Sequence, residues 1–216
     1  MFIGHYALAF AARPAVKRPG LGSLLLAVSW VDLIWPIFLL LGLERVRIAP
    51  GITARTPLDF VSYPWTHSLL MGIVWALLLA LLFSRGRWLR RDQVIFGLLV
   101  LSHWVLDWIS HRPDLPLWPG GPKVGLGLWY NNAATTGVES LLFLAGLALY
   151  LRGTRAKSWK GHLSLWSFLL FIGALYTMDS LGGPPPPSER FLAWFSLGAW
   201  LAPLWGMWIE RTRETA

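Results

Sequence analysis

Asp107 lies four residues after His103 and four before His111. Positions four apart on a helix stack on one face, so these three side chains share a slowly rotating stripe. Two imidazoles and a carboxylate with that spacing form a metal-ligand pattern, because a divalent cation supplies the positive charge that a carboxylate lacks in a low-dielectric setting. The surrounding stretch, Gln93 to Ile109, is otherwise apolar enough to cross a membrane, where an ionisable residue is costly and marks function by default. A proton relay is the competing reading. Two more groups join the first three. Asp32 sits inside the first apolar run in Ser29-Trp30-Val31-Asp32, with Pro36 placed to loosen the helix, and His67 opens the second run in Thr66-His67-Ser68. Asp32, His67, His103 and Asp107 would then fall at one depth on three spans, between the membrane centre and its outer face. That convergence favours a shared metal site over an ion pathway.

The elements that must hold these groups follow from composition. The chain has 216 residues, 55% hydrophobic and only 14% charged, against roughly a quarter charged in soluble domains. It reads as an all-α polytopic membrane bundle, a single integral domain over residues 1–216. About six transmembrane helices are expected, at Gly22 to Leu43, Ser68 to Phe83, Gln93 to Ile109, Gly137 to Leu151, His162 to Leu181 and Arg190 to Ile209. There is no cysteine, so His, Asp and Glu must hold any metal. The net charge of +8 would suggest nucleic acid in a soluble protein. Here the basic residues sit in loops beside spans, where they orient the chain and meet headgroups, and no nucleic-acid partner is expected. A topology with both termini inside puts 13 of the 19 Lys and Arg in the cytoplasm, crowded around Arg85 to Arg91 and Arg152 to Lys160, and points to a prokaryotic-type cytoplasmic membrane. The irregular segments Glu44 to His67, His111 to Thr136 and Gly182 to Glu189 then lie outside. Trp65, Trp108, Trp129 and Trp159 are expected in the interfacial belt.

Met1 to Ala12 lacks the basic start of a signal peptide and is expected to be retained. It is too short to span, but long enough to enter halfway as a re-entrant helix and bring His5 to Asp32; an interfacial helix with His5 among headgroups is the alternative. Asn132, Thr135, Thr136 and Glu139 follow i, i+3, i+4, i+7 spacing on one face. Glu139 is a candidate further ligand or general base, or the end of a capping face. Asp179 belongs to the site's rim or to water, and His162 to the surface.

Gly4-His5, Ser29-Trp30-Val31-Asp32, Thr66-His67-Ser68 and Ser102-His103-x-x-x-Asp107, in that order and spacing, resemble the YdjM family of predicted membrane-bound metal-dependent hydrolases over roughly residues 1–140. Residues 141–216 add membrane helices without a motif. That family in turn resembles, remotely, the zinc-dependent phospholipase C and single-strand nuclease group. The resemblance implies that Asp32, His67 and His103 hold one metal, with Asp107 bridging to a second that His5 also binds. His111 and Glu139 match ligands of a further ion, but Thr135 stands where that pattern has histidine, so two ions are implied rather than three.

Two divalent ions lower the pKa of a bound water, polarise a phosphoryl oxygen and stabilise the leaving oxygen. Zinc is expected, with manganese or iron fitting the same donors. The substrate expected at such a depth is a lipid or other amphiphile carrying a phosphate ester, with Asp107 and Glu139 as catalytic candidates. Arg55, Arg112 and Lys123 are candidate phosphate partners, with Asn132 and Thr135 as polar contacts; Arg112 equally suits snorkelling to headgroups. An intramembrane amidase of ceramidase type, acting on an N-acyl lipid, is a second enzyme reading, and an ion- or proton-coupled transporter is the non-enzyme one.

Overall fold

The computed structural model describes residues 1–85 and 87–216. It is mostly helical. In chain order the helices are α1 (Ile3–Ala12), α2 (Leu21–Leu40), α3 (Pro64–His67), α4 (Leu69–Ser84), α5 (Arg90–Ser110), α6 (Asn132–Gly153), α7 (Trp159–Ser180), α8 (Glu189–Ser196) and α9 (Leu201–Thr212). Five stretches are long and apolar enough to cross a membrane: α2, α5, α6, α7 and the composite Glu189–Thr212. This makes the protein an integral membrane protein. The run expected as a sixth span forms α4, which has 16 residues and at 1.5 Å per residue reaches about 24 Å, short of the ~30 Å hydrocarbon core.

The last expected span, Arg190 to Ile209, is present within Glu189–Thr212, where a 3-10 turn over Leu197–Trp200 separates α8 from α9. Pro203 lacks the N–H that would bond the Ala199 carbonyl, and Gly198 lies in the turn, which favours the change of hydrogen-bond pattern there. One further expectation is corrected. The connections expected to be irregular carry short antiparallel ladders. β1 (Arg45–Ile48) pairs with β2 (Leu58–Ser62), and β3 (Leu115–Pro116) with β4 (Lys123–Val124); at the opposite end β5 (Thr154–Ala156) pairs with β6 (Arg213–Thr215). Backbone groups in loops need partners as much as those in helices, and the ladders supply them.

α1 lies inside the bundle against α2, α5 and α6, with His5, Ala9 and Phe10 buried. Its entry depends on small residues. A Cβ on Gly146 of α6 would collide with the Ala7 carbonyl, and on the far side of α2 one on Gly206 of α9 would lie 2.9 Å from the Gly22 Cα. Close backbone approach of this kind is how membrane helices gain packing when lipid is as apolar as their own side chains. Phe10 then stacks edge-on with Tyr150 at 5.1 Å. The loop leading from α1 to α2 is tied to the start of α5, where the buried Asp92 carboxylate accepts from the Lys17 and Arg18 N–H groups.

Gly146→Ala is expected to destabilise the protein by roughly 1–3 kcal/mol, the usual cost of overpacking against atoms that cannot move aside. At Gly137, in the same helix, a Cβ meets open space, so Gly137→Ala should leave the melting temperature unchanged or raise it. Thermal unfolding of both variants in one detergent checks the pair; equal melting temperatures would mean that α1 does not rest on α6.

Candidate metal centre

α5 carries the middle of the site, as its four-residue spacing requires: His103 and Asp107 project from one face and His111 caps its end. α2 contributes Asp32, α3 ends on His67, and α1 brings His5 from the interior. Asp107 lies at the centre. Its Oδ1 is 3.2 Å from His5 Nε2 and 2.5 Å from the Met1 amino nitrogen. Its Oδ2 is 3.0 Å from His103 Nε2 and 3.9 Å from both His67 Nε2 and His111 Nε2. Asp32 Oδ1 lies 3.3 Å from His67 Nε2 and 3.6 Å from His103 Nε2. The His5 and His103 rings stack at 3.8 Å. Two groups with donor atoms all within 4.8 Å of one another could each hold an ion, His5-His103-Asp107 and Asp32-His67-His103, and they share His103.

The donors are oriented from behind. His103 Nδ1 faces the Val28 carbonyl at 2.7 Å. Only N–H can stand there, so in the neutral ring Nε2 is a lone pair. Thr66 Oγ1 donates to Glu44 Oε2 at 2.7 Å and lies 2.6 Å from His67 Nδ1. One hydroxyl proton serves Glu44, so the hydroxyl accepts from His67 Nδ1–H, and the His67 Nε2 lone pair also faces inward. Asp114 Oδ1, 3.0 Å away, fixes His111 Nδ1 in the same way, with the Tyr63 hydroxyl 3.2 Å from that nitrogen. Imidazole lone pairs therefore point at carboxylate oxygens, a repulsive arrangement unless a cation or an extra proton lies between them. His103 Nε2 shows this most sharply. It is buried, close to two carboxylates, and without a hydrogen bond. The donor set fits a divalent ion of zinc, manganese or iron type.

Outside the spans, burial raises the Glu44 carboxyl pKa; the neighbouring His67 ring, the Thr66 hydroxyl and the Trp65 and Thr66 N–H groups pull it back toward the ionised form. Burial lowers the pKa of His111 despite its Asp114 partner, which keeps the ring neutral and its Nε2 available.

Other expected residues are placed elsewhere. Glu139 Oε2 accepts from the Phe2 and Gly4 N–H groups at 2.7 and 3.2 Å. It caps α1, a helix start that otherwise lacks a side-chain partner, and belongs to neither three-residue group. Arg55 is paired with Asp179 at 2.6 Å and donates to Asn132, Thr136 and Ser180. Arg112 pairs with Asp114 and Asp59, and Lys123 reaches the Val61 carbonyl from an exposed position. Thr135 Oγ1 donates to the Leu128 and Asn131 carbonyls from within the first turn of α6, which Asn131 caps. Trp129, expected in the interfacial belt, instead packs on His111 at 4.2 Å between ring centres. His162 is exposed.

Glu44, Tyr63 and Asp114 were invisible as site residues in the sequence, and Thr66 stood there only as the neighbour of His67 in the Thr66-His67-Ser68 motif. The one available signal was that Asp114 follows His111 by three.

No protein-family model matches this chain, and neither the curated proteins nor the solved structures contain a similar one. The geometry and the residues themselves carry the functional argument.

Purified protein is expected to carry divalent metal that His103→Ala and Asp107→Ala lose. Asp114→Asn and Glu44→Gln should retain it with roughly 10–100-fold weaker affinity, the usual effect of disturbing a group that orients a ligand. Elemental analysis and competition with a chelating dye report both; full occupancy and unchanged affinity in all four variants would show that the cluster holds no metal.

Proposed function

We propose that this protein is a membrane-embedded metal-dependent hydrolase acting on a lipid or other amphiphilic phosphate ester. The observation that carries the reading is the set of inward-facing imidazole lone pairs opposed to Asp32 and Asp107. The order of Gly4-His5, Asp32, Thr66-His67-Ser68 and His103-x-x-x-Asp107, which resembles the YdjM hydrolases, adds the reaction class. Asp32, His67 and His103 would hold one ion, and Asp107 and His5 a second, since the single Nε2 lone pair of His103 serves one ion only. Bound there, divalent ions supply Lewis acidity and a water made acidic enough to attack at neutral pH.

The chain's own residues do the rest. Glu44 through Thr66, the Val28 carbonyl and Asp114 keep the three imidazoles aimed and in one tautomer. Burial of His5, His67, His103 and Asp107 at 2–5% exposure excludes water beyond what the reaction uses, which strengthens each charge interaction inside. With α4 crossing as a sixth, shorter span, which a locally thinned bilayer accommodates, the distribution of basic residues supports cytoplasmic termini and a site in the outer half of the membrane.

A second reading keeps the metal and changes the bond. Among the described residues no Lys or Arg lines the cavity beside Asp32, which favours an uncharged scissile group, such as the amide of an N-acyl lipid, over a phosphate.

Hydrolysis should stop with chelator, return with a divalent ion, and fall on the order of 10²-fold or more in Asp107→Asn, while His162→Ala changes little. A panel of phospholipids, isoprenoid phosphates and N-acyl lipids separates the readings. Chelator-sensitive cleavage of the N-acyl class alone selects the amidase, and no cleavage of any class by metal-loaded protein refutes the hydrolase.

For topology, single cysteines at Gly120 and Lys160, in a parent without cysteine, are expected to react with impermeant reagent from opposite sides, Gly120→Cys from outside. Labelling of Gly120→Cys from the cytoplasm alone would invert the site.

A further inference from the structure

Asp32 differs from its neighbours in one respect. Its side chain is 41% exposed, while those of His67, His103 and Asp107 are 2–5% exposed. Asp32 lies well inside α2 and faces a cavity that opens at the surface of the bundle, where its wall residues Trp194 and Phe195 are themselves exposed. That cavity has a volume of about 530 Å³. Phe2 and Tyr6 line it on the α1 side, Phe171 and Leu175 of α7 on another, and Trp194 and Phe195 of α8 on a third, with Gly198 and Ala199 of the 3-10 turn between α8 and α9. Asp32 is the single charged residue among those described in the wall.

We propose that this cavity is the binding site for one hydrocarbon chain of the substrate, with the hydrolysable head at Asp32. An aromatic and aliphatic wall at membrane depth offers a chain the same apolar surroundings it leaves in the bilayer, and the single carboxylate fixes which end of an amphiphile is polar. The volume lies within the range that encloses one mid-sized organic ligand, which suits one chain rather than the pair on a diacyl lipid. The proposal also accounts for the last membrane segments. α7, α8 and α9 supply no metal donor, yet they build most of the wall. Gly198 and Ala199 of the 3-10 turn at Leu197–Trp200 bring small residues to that wall. What the head does rests on the hydrolase reading; where the chain lies rests on the cavity.

The test is photolabelling in nanodiscs with a single-chain alkyl phosphonate carrying a terminal diazirine, a head that is not hydrolysed. Label is expected on cavity residues of α7 and α8, such as Phe171, Leu175 and Trp194, and should be displaced by unlabelled single-chain amphiphile. Leu170, 74% exposed on the outer face of α7, reports background labelling from lipid and should not respond to the competitor. Ala199→Trp fills part of the cavity and should reduce the displaceable label about tenfold relative to Leu170, the effect of losing 1.4 kcal/mol of binding; Leu175→Trp serves if that variant does not fold. Label confined to Leu170 and other outward-facing positions, or unchanged in the filled variants, overturns the chain site even if hydrolysis is found. Displaceable label in the cavity with no hydrolysis of any substrate class upholds the chain site and removes the hydrolase reading.

Discussion

The Asp107 carboxylate is the constraint from which the rest of the structure follows. A carboxylate 2% exposed in the interior of a membrane bundle loses the hydration that stabilises its charge, and its neighbours must replace that hydration. The protein surrounds it with nitrogen from three elements: His103 and His111 from α5 and its cap, His67 from the end of α3, and His5 from α1 with the Met1 amino group just before it. Each nitrogen is brought from a different direction, so the backbone around Asp107 cannot be a simple antiparallel bundle. α3 must stop at His67 so that its ring can turn inward, and Ser68 must restart the helix, which it does by accepting from the Met71 N–H. α1 must leave the surface altogether. A short apolar helix enters the bundle interior only if its first N–H groups are satisfied there, and Glu139 satisfies two of them.

A second tier of charge follows from the first. The carboxylates that orient the histidines, Glu44 and Asp114, are themselves buried and need partners in turn. Glu44 takes the Trp65 and Thr66 N–H groups. Asp114 takes Tyr63 and Arg112, Arg112 takes Asp59, and Asp59 ends at the exposed Arg47. The chain of ion pairs thus runs from the centre to the solvated β1–β2 hairpin, where the last charge meets water. A buried pair broken at one end leaves an uncompensated charge, so the hairpin acts as the outer anchor of the His111 side of the centre.

This tiered arrangement explains what the sequence could and could not show. The α5 stripe was legible because helical periodicity converts spacing directly into proximity, and the apolar setting of Asp32 and Asp107 marked them as costly. The membrane class was legible from composition. Arg55 and Arg112 were misleading: sequence shows the sign of a side chain but not its partner, and Asp179, Asp59 and Asp114 lie far enough along the chain, or in loops irregular enough, that no periodicity links them. Thr66 meets His67 as its neighbour in sequence, but Glu44 reaches Thr66 only because β1 and β2 fold the intervening loop back, a long-range event with no local signature. The 3-10 turn between α8 and α9 left its residues in plain view, Gly198 and Pro203, but the hydropathy of the run stays high through it, and apolarity alone does not reveal a change of hydrogen-bond pattern.

The motif-bearing part and the last helices are not separable units, although their sequences differ in character. His5 reaches Asp107 only while α1 lies against α6, and the contacts that hold it there, Ala7 over Gly146 and Phe10 against Tyr150, come from beyond the last motif residue. α9 holds α2 through Gly22 and Gly206, and Trp200 donates to the Leu33 carbonyl at 3.2 Å, one residue from Asp32 and within the turn that Pro36 weakens by lacking an N–H. The later helices therefore fix the depth and rotation of α1 and α2, which carry His5 and Asp32. A chain with every motif residue but without these supports would leave Asp107 without His5 and the centre without Asp32.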